Sequence, residues 1–150
     1  MLSLANLQTT VAAAISAHSY FATAPAIAAI VDDGLAKTGL ETALRTKGFA
    51  VLVLPVLGVE LKDQGDGKTF TGEAEVMVKV LLNPHTNPLA TGAQRSMHAA
   101  ISAIFSAVLN WTPGPGDRRF KVGENAIAIS AADEGLLCYD LLFTKQITLN

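Results

Sequence analysis

The sequence from Gln64 to Thr69, QGDGKT, looks like the end of a phosphate-binding loop. Such a loop requires a glycine, four further residues and then Gly-Lys-Ser/Thr, because successive backbone N–H groups must curl around the phosphates where a helix begins. Lys62 occupies the position of that first glycine, and the residues after Thr69 alternate as in a strand. A calcium loop is also excluded, because Asp63 and Asp66 lack the twelve-residue ligand spacing with its closing glutamate. The stretch therefore predicts a tight turn and no bound ion or nucleotide.

The other residues that could do chemistry are spread along the chain. The motifs HExxH, GxSxG, CxxC and GxGxxG are absent, and the three histidines, at positions 18, 85 and 98, lack the spacing of metal ligands. Asp32-Asp33 and the pair Glu73 and Glu75 are the nearest to paired carboxylates. Neighbours at a helix end diverge, however, and the two glutamates share the polar face of a strand. We therefore expect no catalytic residue, no metal site and no cofactor.

Cys138 is the only cysteine, which excludes an intrachain disulfide and a cysteine-based zinc site. Its place between apolar residues of a strand predicts a buried, inert thiol. A small cytoplasmic enzyme or ligand-binding domain remains an alternative, because a pocket between helix and sheet needs no recognisable motif. The polar groups that would serve such a pocket are His85, His98 and Asp140.

Size and charge restrict the class of protein further. A chain of 150 residues, 50% of them apolar, predicts one domain with a substantial core. The formal net charge of -2 gives no global reason to bind nucleic acid, and the local cluster of Arg118, Arg119 and Lys121 is typical of a solvated loop or a subunit contact. No apolar run reaches the roughly 18 to 20 residues of a membrane span, and no signal peptide is recognisable. We therefore expect folding in the cytoplasm and no membrane partner.

Helices are predicted over about residues 3–47. Leu4, Leu7, Val11 and Ile15 recur at helical spacing within residues 3–18. Pro25 is typical of the start of a second helix, and a short third helix is predicted over residues 38–46.

Strands dominate the rest of the chain. A long β-hairpin is predicted over residues 49–82, with its tip at Asp63 to Lys68. Its first strand is apolar on both faces, and Pro55, which has no N–H to donate, indicates a sheet edge or a bulge. A helix over residues 93–110 is followed by a C-terminal hairpin over residues 120–148, with strands at about 126–130 and 136–148. This order predicts an α+β fold, an antiparallel sheet of about four strands in two hairpins with helices packed on one face.

The order of elements is similar to that of a known family. A helix, an irregular region, the segment KGFAVLVLP, a long hairpin, an Asn-Pro loop, the helix MHAAISAIFSAVLNW and a closing hairpin follow each other over most of the chain. In this order the sequence resembles the tail terminator proteins of long-tailed bacteriophages, which are tail completion or head-tail joining proteins. The resemblance implies a structural protein without cofactor, made in the bacterial cytoplasm and carried in the tail or neck of the virion.

The same resemblance implies a homo-hexameric ring that caps the tail tube, contacts the tail-tube protein and the head-tail connector proteins, and lets DNA pass through its lumen without specific binding. Another connector, a stopper or a tail-tube subunit is the alternative within this class. A closed ring requires two different patches on each subunit. We expect these patches at the hairpin tip, at the strand edge near Pro55 and in the loop 114–121, with the two arginines facing acids of a neighbour. The candidate contact residues are Asp32, Asp33, Pro55, Asp63, Asp66, Lys68, Arg118, Arg119 and Lys121.

Overall fold

The computed structural model describes residues 4–22, 40–45, 48–56, 58–84, 97–130 and 135–149. Two helices open the chain, α1 over Leu4–Ala17 and α2 over Ser19–Ala22, and residues 40–45 are also helical. Three strands follow, β1 over Phe49–Val53, β2 over Gly58–Asp63 and β3 over Phe70–Leu82. Helix α3 spans Met97–Leu109, and the described chain closes with β4 over Lys121–Ser130 and β5 over Leu137–Leu149. The fold is α+β, as the order of patterns predicts.

The five described strands form one antiparallel sheet. Strands β3 and β5 lie at its centre and pair along their whole length, from Phe70 opposite Leu149 to Leu82 opposite Leu137. Strands β1 and β2 pair one after the other with the free side of β3, and β4 pairs with β5. One edge of the sheet is therefore formed by β1 and β2, and the opposite edge is formed by β4.

Helices cover one face of the sheet, which we call the inner face; the opposite side is the outer face. Along β3 the inner positions are buried and apolar, because alternate residues of a strand point to the same side. Helix α1 contributes apolar residues spaced one helical turn apart, Leu7, Val11 and Ile15, to the core. Helix α3 packs the ring of Phe105 against that of Phe143, with centroids 5.1 Å apart. The fully buried members of this core include Leu7, Val11, Ile15, Val76, Val78, Val80, Ile104, Val108, Leu141 and Phe143.

The long hairpin is confirmed, but Pro55 divides its first strand. Pairing of β1 with β3 ends at Leu54, whose N–H donates to the Met77 carbonyl at 2.8 Å. Pairing with β3 resumes in β2, at Gly58 opposite Glu75. The sheet consequently has five strands rather than about four. Strand β1 is buried on both faces, whereas β2 is largely exposed. Burial of both faces, which the sequence predicted for the whole first strand of the hairpin, is therefore found only in β1.

The predicted helices agree with the described residues in type. Helix α1 has nearly the bounds expected from its stripe, and residues 40–45 lie within the short helix predicted over 38–46. The predicted second helix at Pro25 and residues 93–96 of the helix predicted over 93–110 lie outside the described residues. None of the helices in the described part is long and apolar enough to cross a membrane.

Strand β4 begins at Lys121, five residues earlier than its apolar pattern indicates. Its register against β5 shifts between Val122 and Ile127, so that four residues oppose Leu142 alone. Asn125, within this bulge, has a φ of 50°, a left-handed backbone conformation that asparagine tolerates better than most residues. A bulge interrupts the alternation of inward and outward side chains, which is why the early part of the strand was not predicted.

Candidate subunit-contact surfaces

The hairpin tip is a closed network of hydrogen bonds. Asp63 Oδ1 accepts from the N–H groups of Gly65 at 2.8 Å and Gly67 at 3.2 Å. Both glycines have positive φ, 94° and 66°, a conformation that side chains disfavour. The carboxylate therefore fixes a turn that only glycines adopt easily, and QGDGKT serves the fold of the tip rather than a phosphate.

Asp66 closes the other half of the tip. Its Oδ1 accepts from the N–H groups of Lys68 at 2.8 Å and Thr69 at 2.6 Å, and its Oδ2 accepts from the Thr69 hydroxyl at 2.7 Å. The Thr69 side-chain hydrogen bond, assisted by the two backbone N–H groups, lowers the pKa of Asp66 from 3.8 to about 2. Two of the predicted contact residues, Asp63 and Asp66, thus hold the loop, while the Lys68 side chain is exposed.

The hairpin projects as an arm, which we define as β2, residues 70–75 of β3 and the tip between them. On the outer face of the arm Glu60 lies directly opposite Glu73, and Glu75 follows on the same side. Like charges placed directly opposite in a sheet repel each other. Glu60 and Glu73 border an open concavity of about 290 Å³, whose lining also includes Lys62, Thr71, Gly72, Lys121 and Gln146. The arm is therefore an acidic surface of which only the tip was predicted from the sequence.

Pro55 lies at the sheet edge, between the two short strands that pair with β3. Next to it the Val53 carbonyl accepts a hydrogen bond from the Gln8 side chain of α1 at 2.9 Å. An unpaired edge carbonyl is a template for another strand. Because α1 satisfies this one, the edge beside Pro55 is less open to a partner strand than its position suggests.

The loop between α3 and β4 is anchored by a buried lysine. Lys145 has a relative exposure of 1% and occupies an inner-face position of β5 between Phe143 and Ile147. Its ammonium group donates to the Arg118 carbonyl and lies 3.8 Å from Asp117 Oδ1.

Aromatic rings complete this anchor. The Lys145 Nζ lies 5.1 Å from the centroid of the Trp111 ring and 5.3 Å from that of Phe120, within the range of cation–π attraction. Burial lowers the pKa of Lys145, and the neighbouring Asp117 opposes that shift. Because this anchor fixes the loop backbone at Arg118, the exposed arginines at 118 and 119 project from a defined position beside β4.

An exposed apolar surface borders the same edge and was not predicted. We call it the edge row; it consists of Val122, Ile127 and Ile129 of β4 and Leu137 of β5. These residues share the inner face with the core, since they pair with Phe143, Leu141, Tyr139 and Leu82, respectively. Their side chains are 48%, 52%, 75% and 50% exposed, respectively. The sequence carries the alternation Ile127-Ala128-Ile129, but an alternating pattern does not reveal whether the apolar side is covered.

The polar residues of the enzyme alternative do not converge in the described structure. His98 is exposed on α3, which covers the inner face, whereas Asp140 lies on the outer face and pairs with Lys79 at 2.7 Å. His85 lies outside the described residues, as do the candidate contacts Asp32 and Asp33. Cys138 is 4% exposed, as predicted for a buried thiol. Across the described ranges, no group of three or more histidine, cysteine or acidic side chains could hold a metal ion.

The fold is similar to that of a chain in a solved structure of the virion of a native gene transfer agent particle. The two chains superpose with a TM-score of 0.60 over 99% of each, at 15% sequence identity. No family model and no curated protein matches the sequence. At this level of identity the likeness establishes a shared fold over the length of both chains.

Proposed function

We propose that the protein is a structural component of a phage-like virion. The observation that carries this proposal is the fold likeness, which extends over 99% of both chains, to a chain of a gene transfer agent virion. Two different surfaces at opposite edges of the sheet, the acidic arm and the edge row beside the arginines, support it. A subunit that assembles with others needs such surfaces, whereas an enzyme needs convergent polar groups.

Within this class we propose a tail terminator, a non-enzymatic protein that forms a homo-hexameric ring on the last ring of the tail tube. The ring ends polymerisation of the tube and joins it to the head connector proteins, and the protein is made in the cytoplasm of the bacterial host. The order of elements that resembles tail terminators supports this choice. DNA crosses the lumen without specific binding, since a chain with a formal net charge of -2 gives no global neutralisation of phosphates.

A head-tail connector, a stopper or a tail-tube subunit is the second candidate, because a fold likeness to a virion chain does not distinguish these roles from a terminator. Purified protein distinguishes a ring from a tube. Native mass measured across a concentration series, followed by negative-stain images of the large species, should give discrete rings with a central hole. Tubes that grow without limit would instead identify a tail-tube subunit. Tight binding of a metabolite by a monomer would contradict both virion roles.

The predicted pairing of Arg118 and Arg119 with acids of a neighbour remains part of the proposal; Asp32 and Asp33 are one candidate set of acids, and those of the arm are another. Both arginines are exposed, which such a contact requires. Reversing both charges, by substitution with glutamate, should abolish ring assembly. Rings that form unchanged would remove this pairing and leave the virion role intact.

A further inference from the structure

Among the described residues, five large apolar side chains are exposed, and they lie at or beside the two edges of the sheet. Four of them form the edge row of β4 and the start of β5. The fifth is Leu61, 40% exposed, on the inner side of the arm at the opposite edge. Scattered apolar residues on a surface need no explanation, but a contiguous row beside a strand edge marks a contact site.

The backbone of β4 does not offer a regular ladder for strand addition. The bulge between Val122 and Ile127 shifts its register, and a bulge at an edge disfavours pairing with another strand. A partner at this edge must therefore contact side chains. The edge row contains four of the five exposed large apolar side chains in the described part, with Ile129 at 75% exposure, and is available for such a contact.

Charge is also divided between the edges. The arm, residues 58–75, carries five carboxylates and two lysines. Beside the edge row, the segment Arg118 to Lys121 carries three cations and no carboxylate. Lys121 lines the concavity of its own chain together with Lys62 and two glutamates. The two arginines form no ion pair with another described residue. Each edge thus carries an exposed apolar side chain or row and a net charge, negative on the arm and positive on the segment Arg118 to Lys121.

We propose that the edge row and the arginines at 118 and 119 of one copy bind the arm of a second copy of this chain. Both halves of the contact are on the same chain, at opposite edges of one sheet, so association runs head to tail. A two-fold arrangement of the same contact would require both edges of one copy to meet both edges of the other at once, which surfaces at opposite edges of one sheet disfavour. The ring in which this contact repeats rests on the proposed function; the contact itself rests on the surfaces just described.

Variants on each side of the contact provide the test. The row variant carries Ile127→Gln and Ile129→Gln, and the arm variant carries Glu60→Gln and Leu61→Gln. All four side chains are exposed, so the fold should be retained, which circular dichroism verifies. Ala128→Gln is the matched control, since Ala128 is an exposed residue of the same strand on the outer face.

Sedimentation velocity across a concentration series gives the readout. Wild type and the Ala128→Gln control should self-associate alike. Each contact variant should reach the same degree of association only at about tenfold or higher protein concentration, which corresponds to a loss of roughly 1.4 kcal/mol of association free energy. A mixture of the row and arm variants should form dimers of twice the 15.7 kDa chain and nothing larger, because one intact contact remains per pair.

Three results would overturn the contact: monomeric wild type at every concentration, variants that associate like wild type, or a mixture that stays monomeric. Its failure is separable from that of the proposed function. If the variants still form rings like those of wild type, the contact is wrong but the ring-forming role stands. If the protein associates head to tail but is absent from particles, only the virion role is wrong.

Discussion

Lys145 is the residue whose position is least expected from its type. Lysine is seldom fully buried unless it is paired, yet this side chain lies in the core, where it holds the Arg118 carbonyl and faces Asp117, Trp111 and Phe120. Its role is to attach the loop that carries the arginines to the sheet. A change at this residue should therefore affect both stability and the placement of that loop.

Replacement of Lys145 by methionine should lower the free energy of unfolding by about 1–3 kcal/mol, the usual cost of leaving a buried acceptor without a donor. Lys79→Met is the matched control, because Lys79 also pairs with an aspartate from a strand but is 28% exposed. Its loss should cost less than about 1 kcal/mol. Urea unfolding of both variants checks this, and equal losses would contradict the anchor.

The same lysine predicts a pH dependence. Burial lowers the pKa of Lys145 in the folded state below its ordinary value of 10.5. Between these two pKa values the unfolded chain binds more protons than the folded chain, so the free energy of unfolding rises with pH in that window. Relative to the Lys145→Met variant, wild type should gain stability as pH approaches 10.5. Parallel profiles of the two proteins in urea unfolding would show that the lysine does not titrate differently on folding.

Asp66 predicts a local titration at the hairpin tip. Its carboxyl should titrate at about pH 2, because the Thr69 hydroxyl and two N–H groups stabilise the charged form. Thr69→Ala should move the midpoint toward 3.8, the ordinary pKa of an aspartate. Carboxyl-carbon NMR reports this group directly. A midpoint near 3.8 in wild type would mean that the tip network is not formed.

At the scale of elements, the arm depends on the close approach of β2 and β3. Gly72 lies opposite Leu61, and a Cβ at this glycine would overlap the backbone carbonyl oxygen of Glu60. Gly58, in the same pair of strands, has open space around the equivalent position. The two glycines therefore have different tolerance for a methyl group.

Gly72→Ala should lower the free energy of unfolding by about 1–3 kcal/mol, because the strands must shift to admit the methyl group. Gly58→Ala should change it by no more than about 0.5 kcal/mol, as expected for a surface substitution. Denaturant unfolding of the two variants provides the comparison. A Gly72→Ala variant as stable as Gly58→Ala would contradict the pairing of the arm.

Sequence periodicity was sufficient for most elements but not for the contact surfaces. Helices α1 and α3 and the long hairpin were predicted because each carries an uninterrupted apolar stripe or alternation. The start of β4 was not predicted because its bulge interrupts the alternation of apolar and polar residues. The burial of Lys145 was not predicted because a lysine in a strand is normally expected to be exposed. The edge row has the same pattern as a buried strand, so only the three-dimensional arrangement distinguishes it from the core.

At the scale of the whole molecule, the two edges of the sheet differ in shape, apolar content and charge. The arm extends one edge and is acidic, while the opposite edge presents the edge row and the arginines. A subunit with two unlike edges can join a closed ring without self-pairing of either edge. This asymmetry, together with the fold shared with a virion chain, supports the ring-forming role that we propose.

The central claim is tested most directly by locating the protein in particles made by cells that carry its gene. Electron microscopy of purified particles, with gold-labelled antibody against this chain, should place the label at one position, the junction of tail and head. Label along the whole tail would contradict a terminator and indicate a tube subunit. The absence of the protein from the particles would contradict a virion role altogether.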